Sequence, residues 1–323
     1  MRPLALTMGE PAGVGGEIAV AAWASGLCRR PFFIVDDPDR IESLGAPVAV
    51  IDSPAHTEEA FSRAIPVLTE RLPGPVTPGR PSPEAAPHVV RSIERGVALV
   101  QDGAAAAIVT NPIDKGALHA GAGFSHPGHT EFLAALAGAD HVVMLLASPL
   151  LRVVPLTIHQ ALATVAGSIT SDMIVQTVTT LHDALRQDFA IEAPRIAVAG
   201  VNPHAGEGGL FGREDIEVIA PAIERLRASG LDVRGPLPAD TMFHARARTG
   251  YDAAVCMYHD QALIPLKTLD FDRGVNVTLG LPFIRTSPDH GVAYDIAGKR
   301  IANPTSLIEA INLAAAMADA RGL

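Results

Sequence analysis

The stretch Ala104–Gly116, AAAAIVTNPIDKG, decides how the chain is read. A short aliphatic run, Ile108-Val109, breaks into Thr110-Asn111-Pro112-Ile113-Asp114-Lys115. Strands buried on both faces of a parallel sheet read as continuous aliphatic runs. Pro and Asn then punctuate the chain where the strand ends. The same pattern recurs three times. Leu156-Thr157 leads to His159, Ala199-Gly200-Val201 leads to Asn202-Pro203-His204, and Cys256-Met257-Tyr258 leads to His259-Asp260-Gln261. Ligands of open α/β sheets bind beyond the carboxyl ends of the strands. The four ends are therefore expected to serve one cleft.

Outward from these stretches, strands are expected at Leu4–Thr7, Phe32–Val35, Ala106–Thr110, Val142–Leu146, Val153–Thr157, Ile196–Val201, Ala253–Tyr258 and Val275–Leu279. Amphipathic helical patterns lie between them at Pro83–Val100, Thr170–Phe189, Glu214–Ala228 and Ser306–Ala320. Strand–helix alternation implies βαβ units and an α/β fold with a mainly parallel sheet. Leu72–Pro87, with six prolines and two glycines, reads as an irregular surface loop.

Composition excludes several classes. Hydrophobic residues make up 48% of the 323 residues but aromatics only 4%, so the core is aliphatic and bases have little to stack on. A net charge of −10 without a Lys/Arg run argues against nucleic acid and anionic membranes as partners. Cys28 and Cys256, the only cysteines, make no disulfide framework. No long apolar span or signal-type N-terminus is seen, so a cytoplasmic protein is expected.

A lone histidine after a strand is usually structural or solvated. His159, His204 and His259 hold equivalent positions after three strands, and neutral imidazoles suit borderline divalent ions. Three protein ligands with an open position would meet the needs of a catalytic site. His129-Thr130 follows Pro127-Gly128 and precedes Glu131-Phe132-Leu133, which reads as a helix start with Thr130 near the N-cap. Such a terminus can take an anion. Lys267, Asn276 and Arg285 share one region, LKTLDFDRGVNVTLGLPFIRTSPDHG; Arg285 could grip carboxylate or phosphate and Lys267 could add a point charge. The turn GEPAGVGG at residues 9–16 is not GxGxxG, so a classical dinucleotide fingerprint is absent.

Residues 290–304, HGVAYDIAGKRIANP, resemble the adenosine-binding loop of the isopropylmalate dehydrogenases. That resemblance places His290 and Gly291 at an adenosine, Asn303 at the adenine edge and Asp295 at the ribose hydroxyls. A carboxylate there would favour NAD over NADP.

The stretches GEPAGVGGEI, IVTNPIDKG, PGHTEF, LTIH, VNPHAGEGG, GPLPADT, YHDQALIPLK and GVNVTLGLPFIRTSPDHG together resemble the PdxA family of vitamin B6 biosynthesis, the 4-hydroxythreonine-4-phosphate dehydrogenases. The resemblance implies two α/β/α domains around a cleft, of the isocitrate/isopropylmalate dehydrogenase kind. It divides the chain into a cofactor-side domain, 1–125 plus 288–323, and a metal, substrate and dimerisation domain, 126–287. It implies a homodimer with shared active sites and His159, His204 and His259 as metal ligands drawn from both subunits. It gives His129, Thr130, Lys267, Asn276 and Arg285 to the substrate. The implied reaction is NAD-dependent oxidation of 4-phosphooxy-L-threonine at C3 with decarboxylation. The ion could be Zn, Mg, Co, Mn or Ni. For the catalytic groups the reading points to Lys267, Asp260 and Lys115, the general base being Asp260, Lys115 or a water held by the metal.

Three departures from the family pattern stand out: Gly15-Gly16, which changes only the helix entry, and Asp114 before Lys115 and His159-Gln160-Ala161, which leave the substrate open. Relatives of this kind also oxidise phosphorylated sugar acids or a dihydrodiol of terephthalate. A hydrolase using three histidines and no nicotinamide, or a non-catalytic binding protein, are the other classes considered.

Overall fold

The computed structural model describes residues Met1–Leu323. The chain forms two compact units, Met1–Val142 with Leu281–Leu323, and Val143–Gly280. No helix is long and apolar enough to cross a membrane.

The first unit holds β1 (Leu4–Thr7), β2 (Phe32–Asp36), β3 (Val48–Ile51), β4 (Ile65–Thr69) and β5 (Ala107–Val109). The returning chain adds β12 (Arg285–Pro288). Their order is β3-β4-β2-β1-β5-β12, and every pairing is parallel. β1, β2 and β5 are buried along their whole length, as their aliphatic runs require. The helices Gly15–Ser25, Ala86–Gln101, Lys115–Ala122, His129–Ala137 and Thr305–Ala320 also belong to this unit.

The second unit holds β6 (Val143–Ser148), β7 (Leu151–Pro155), β8 (Arg195–Ala199), β9 (Asp232–Leu237), β10 (Ala253–Cys256) and β11 (Val275–Leu279), in the order β11-β6-β7-β10-β8-β9. β6 pairs antiparallel with β7 and with β11; the remaining pairings are parallel. The mainly parallel α/β class is as the sequence implies.

Some expectations shift. Residues 126–142 were expected in the second unit, yet Phe132 and Leu133 pack with Ile93, Val97, Leu118 and Phe124 of the first. Residues 281–287 likewise join the first unit, because β12 pairs with β5 and Leu281 and Phe283 enter the same core. β7 begins and ends two residues earlier than read, since its hairpin with β6 pairs Ser148 with Leu151. The helical pattern at Glu214–Ala228 resolves into a π turn, Asp215–Ile219, followed by the α-helix Ala220–Ala228.

Candidate active site

In the first unit the end of β5 meets β12. Thr110 donates its amide to the Thr286 carbonyl at 3.0 Å, which sets Arg285 beside it. The Arg285 guanidinium donates to Thr110 Oγ1 through Nε at 3.2 Å and Nη2 at 2.7 Å. Arg285 is 3% exposed. Burial lowers its pKa to about 10, opposed by the nearby Glu131 carboxylate, so it stays a cation near neutrality. A buried guanidinium is costly unless anionic oxygens answer it.

His129 lies next to this cation. It is the first residue of helix His129–Ala137, whose N-cap is the extended Gly128. Thr130, expected near the N-cap, is therefore the second helical residue; Gly128 takes the cap because its backbone is extended, with φ −175°. His129 Nε2 is enclosed and meets no hydrogen-bond partner. Burial, then the charges of Arg285 and Lys115, hold this imidazole well below its ordinary pKa of 6.5. It is neutral at physiological pH. A Cβ at Gly128 would lie 3.3 Å from Lys115 Nζ and 3.2 Å from Glu131 Oε2, which places the Lys115 ammonium at the start of this helix. Arg285, Lys115, His129 and a helix N-terminus thus form a cradle suited to an anion, with Glu131 as its one acidic wall. Asn111, which was not assigned from the sequence, follows Thr110 and is tied to β1. It donates Nδ2 to the Thr7 carbonyl at 3.0 Å, and its Oδ1 is enclosed without a partner.

The loops around residues 9–16 and 289–304 meet in the same unit. Glu10 donates its amide to the Pro112 carbonyl at 2.8 Å, and Val14 to the Val292 carbonyl at 3.0 Å. Glu17 accepts the amides of Gly298 at 2.5 Å and Arg300 at 2.9 Å. The proline-rich segment closes on them, with the Gly79 amide 2.8 Å from the Ala12 carbonyl. A cavity of about 310 Å³ opens there, lined among others by Glu10, Pro11, Ala12, Pro75, Thr77 and Arg80. Glu10 is buried, which raises its pKa, and its carboxylate accepts the Ala12 amide at 3.0 Å. His290, Gly291 and Asp295 are exposed on this loop. Asn303 is engaged locally. Its Oδ1 accepts the amide and hydroxyl of Thr305 at 3.0 and 2.7 Å, at the start of the last helix.

In the second unit β7, β10 and β8 run parallel as neighbours, so their carboxyl ends fall on one side. His159 and His259 follow β7 and β10, and their rings lie 5.9 Å apart. His259 Nδ1 is 2.9 Å from Asp260 Oδ1. A carboxylate on one ring nitrogen fixes the imidazole and leaves the other to a ligand. Asp260, a candidate base, is thus an orienting partner of His259 in this structure. His204 does not join the pair. It sits on a turn, 204–208, in which every φ is positive, between 40° at Glu207 and 79° at Gly206, and its ring faces Phe211 at 6.2 Å. No three His, Cys, Asp or Glu side chains of the chain are grouped to hold an ion. Two imidazoles fit a borderline divalent ion; the expected third is not supplied within one chain.

Asp215 shapes that turn and was also missed. Its carboxylate accepts the amides of Val201 at 2.9 Å and Asn202 at 3.2 Å, and Asn202 Nδ2 at 2.9 Å. Lys267 stands two turns into helix His259–Asp270, over the Phe271 ring at 5.6 Å. Asn276 is half-buried on β11, opposite Leu146.

Fold and side chains define a class: a mainly parallel α/β protein with a cationic cradle at the start of β12 and of two helices, and a pair of histidines beyond β7 and β10. The family model for the pyridoxal phosphate biosynthetic protein PdxA matches residues 31–314. The chain belongs to the PdxA family. It is 58% identical over 317 residues to the 4-hydroxythreonine-4-phosphate dehydrogenase of Roseobacter denitrificans, across 98% of this chain and 97% of that one. Among solved structures, the 4-hydroxythreonine-4-phosphate dehydrogenase of Klebsiella pneumoniae superposes with a TM-score of 0.90 at 42% identity, covering 98% of this chain and 100% of that one. A terephthalate 1,2-cis-dihydrodiol dehydrogenase of Burkholderia xenovorans LB400 superposes with a TM-score of 0.67 at 29% identity, covering 97% of each.

Proposed function

We propose that the chain oxidises 4-phosphooxy-L-threonine at C3 with NAD and a divalent metal ion, releasing carbon dioxide and 3-amino-2-oxopropyl phosphate. The observation that carries this reading is the cradle: buried Arg285, the enclosed Nε2 of neutral His129, and Lys115 at a helix start. The names of the full-length relatives support it.

In this reading Arg285, His129 and Thr130 hold an anionic group of the substrate, and Lys267 and Asn276 add further polar contacts. The 289–304 loop takes the adenosine, with Asp295 toward the ribose and His290, Gly291 and Asn303 beside the base. Asn303 would offer its amide nitrogen, because its oxygen is engaged by Thr305. The hydride leaves C3 for the nicotinamide while the hydroxyl proton passes to Asp260. The resulting 3-keto acid loses its carboxyl group as carbon dioxide, the electron pair moving onto the ketone, and a proton then returns to carbon. A divalent ion held by His159 and His259, with His204 of a second copy, would polarise the C3 oxygen and offset the charge that grows there. The apolar side chains beside these histidines support pairing: Leu162, Leu210 and Phe211 are 70, 74 and 47% exposed.

A second reading keeps the chemistry and changes the substrate. The likeness to a dihydrodiol dehydrogenase, with Asp114 and Gln160-Ala161 at departing positions, favours testing it. A panel of 4-phosphooxy-L-threonine, phosphorylated erythronate and terephthalate dihydrodiol, followed by NADH absorbance, separates the two. Turnover confined to either of the latter substrates would replace the first reading.

A further inference from the structure

Lys115 is an odd first residue for a helix. A cation at a helix N-terminus meets the positive end of the dipole, so nothing local recommends it. Asp114 makes the position workable. One of its carboxylate oxygens accepts the Ala117 amide at 3.0 Å and caps helix Lys115–Ala122. The other accepts the hydroxyl of Tyr294 at 2.8 Å. Tyr294 arrives from the far end of the chain, on the 289–304 loop.

The direction of this bond is fixed by its surroundings. Burial, the bond to Asp114 and the charges of Glu10 and Asp114 push Tyr294 ionisation far up, so the phenol donates. Burial works to raise the Asp114 pKa, but the Ala117 amide, the Tyr294 hydroxyl and the Gly116 amide outweigh it and hold the carboxyl below its usual range. A phenol on a carboxylate is a charge-assisted bond, shorter and stronger than a neutral one. Its effect is to pin the start of the helix that carries Lys115, and Lys115 reaches Gly128 and His129 from there.

We propose that Tyr294 is a positioning residue that acts through Asp114 to hold Lys115 in the anion cradle. It ties the loop read as the nucleotide site to the residues read as the anion site. The inference rests on that reading of the cradle and deepens it.

The test is calorimetric titration of inorganic phosphate into the full-length chain, with steady-state kinetics beside it. Tyr294→Phe is expected to weaken phosphate by about three- to tenfold, the effect of one hydrogen bond. KM for the phosphorylated substrate should rise by the same factor while KM for NAD stays put. Asp114→Ser keeps a capping side chain but loses the reach to Tyr294, so it should reproduce the loss with the helix intact. Because Tyr294 acts through Lys115, Tyr294→Phe added to Lys115→Ala should weaken phosphate by less than about twofold more. Unchanged phosphate affinity in Tyr294→Phe overturns the inference. So does a double variant that shows the two losses in full. A wild-type chain that takes up no phosphate overturns the cradle reading and the inference with it. Normal uptake by both Tyr294→Phe and wild type overturns the inference alone.

Discussion

At His129, burial and two neighbouring cations act in one direction, and the ring is kept neutral. The unfolded ring protonates near 6.5, the folded ring only well below that. Its neutral form therefore lends stability that is fully present above 6.5 and is lost as pH falls from there toward the folded value. Chemical denaturation of wild type and His129→Gln on either side of pH 6.5 checks this. The difference should move in the variant's favour as pH falls; a constant difference would contradict it. Arg285 poses the complementary case, a buried fixed charge. Arg285→Ala is expected to cut kcat/KM for the phosphorylated substrate by about 30-fold or more, the scale of truncating a buried charged hydrogen-bond partner. Arg285 and His129 were read from the sequence as anion-binding candidates, from a buried-looking stretch and a helix start, whereas Lys115 was read only as a candidate base. Asn111 and Tyr294 were not assigned, since their roles lie in which distant loop they touch, at Thr7 and Asp114. Spacing along the chain carries no trace of such pairings.

Among the elements, most aliphatic strands were legible, but β3 was not read although its VAVI is aliphatic throughout, and neither were β4, β9 and β12. β12 reads RTSP, with no apolar run to announce it, and is buried because β5 pairs with it. β4 carries Pro66, a residue that demotes a run as a strand. β9 contains Gly235-Pro236 for the same outcome. The turn after β8 is polar and chemical, as its sequence implies, but its left-handed path was not foreseen. Non-glycine residues in that conformation are strained, and His204, Ala205 and Glu207 all adopt it. Asp215 holds the entry to the turn, and Gly200 leaves room for it: a Cβ there would come within 2.6 Å of Asp215 Oδ1. Asp215→Ala leaves half-buried amides unanswered and should lower stability by about 1–3 kcal/mol, read by thermal or denaturant unfolding. Gly200→Ala should show a loss of similar size and a weaker metal affinity. Unchanged metal binding in a folded Gly200→Ala protein would separate the turn from the metal.

For the whole molecule, the histidine triad is the feature that one chain leaves open. His159 and His259 approach each other, and His204 stands on its own turn. If a second copy supplies His204, inactive His159→Ala and His204→Ala chains refolded together should regain activity, because one of the two sites in a hybrid dimer is intact. Sedimentation should find dimers in each preparation. Hybrids without activity would contradict a site shared in this way. The mainly parallel architecture was legible from alternating strands and helices, whereas the division at Val142/Val143 was not, because Phe132 and Leu133 carry a polar-flanked helix into the first core. The central claim, metal-dependent oxidation by NAD, is met most directly by following NADH formation from 4-phosphooxy-L-threonine before chelation, after chelation and after return of a divalent ion. The account predicts turnover that is abolished and then restored. Turnover that survives exhaustive chelation, or no NADH with any divalent ion, would contradict it.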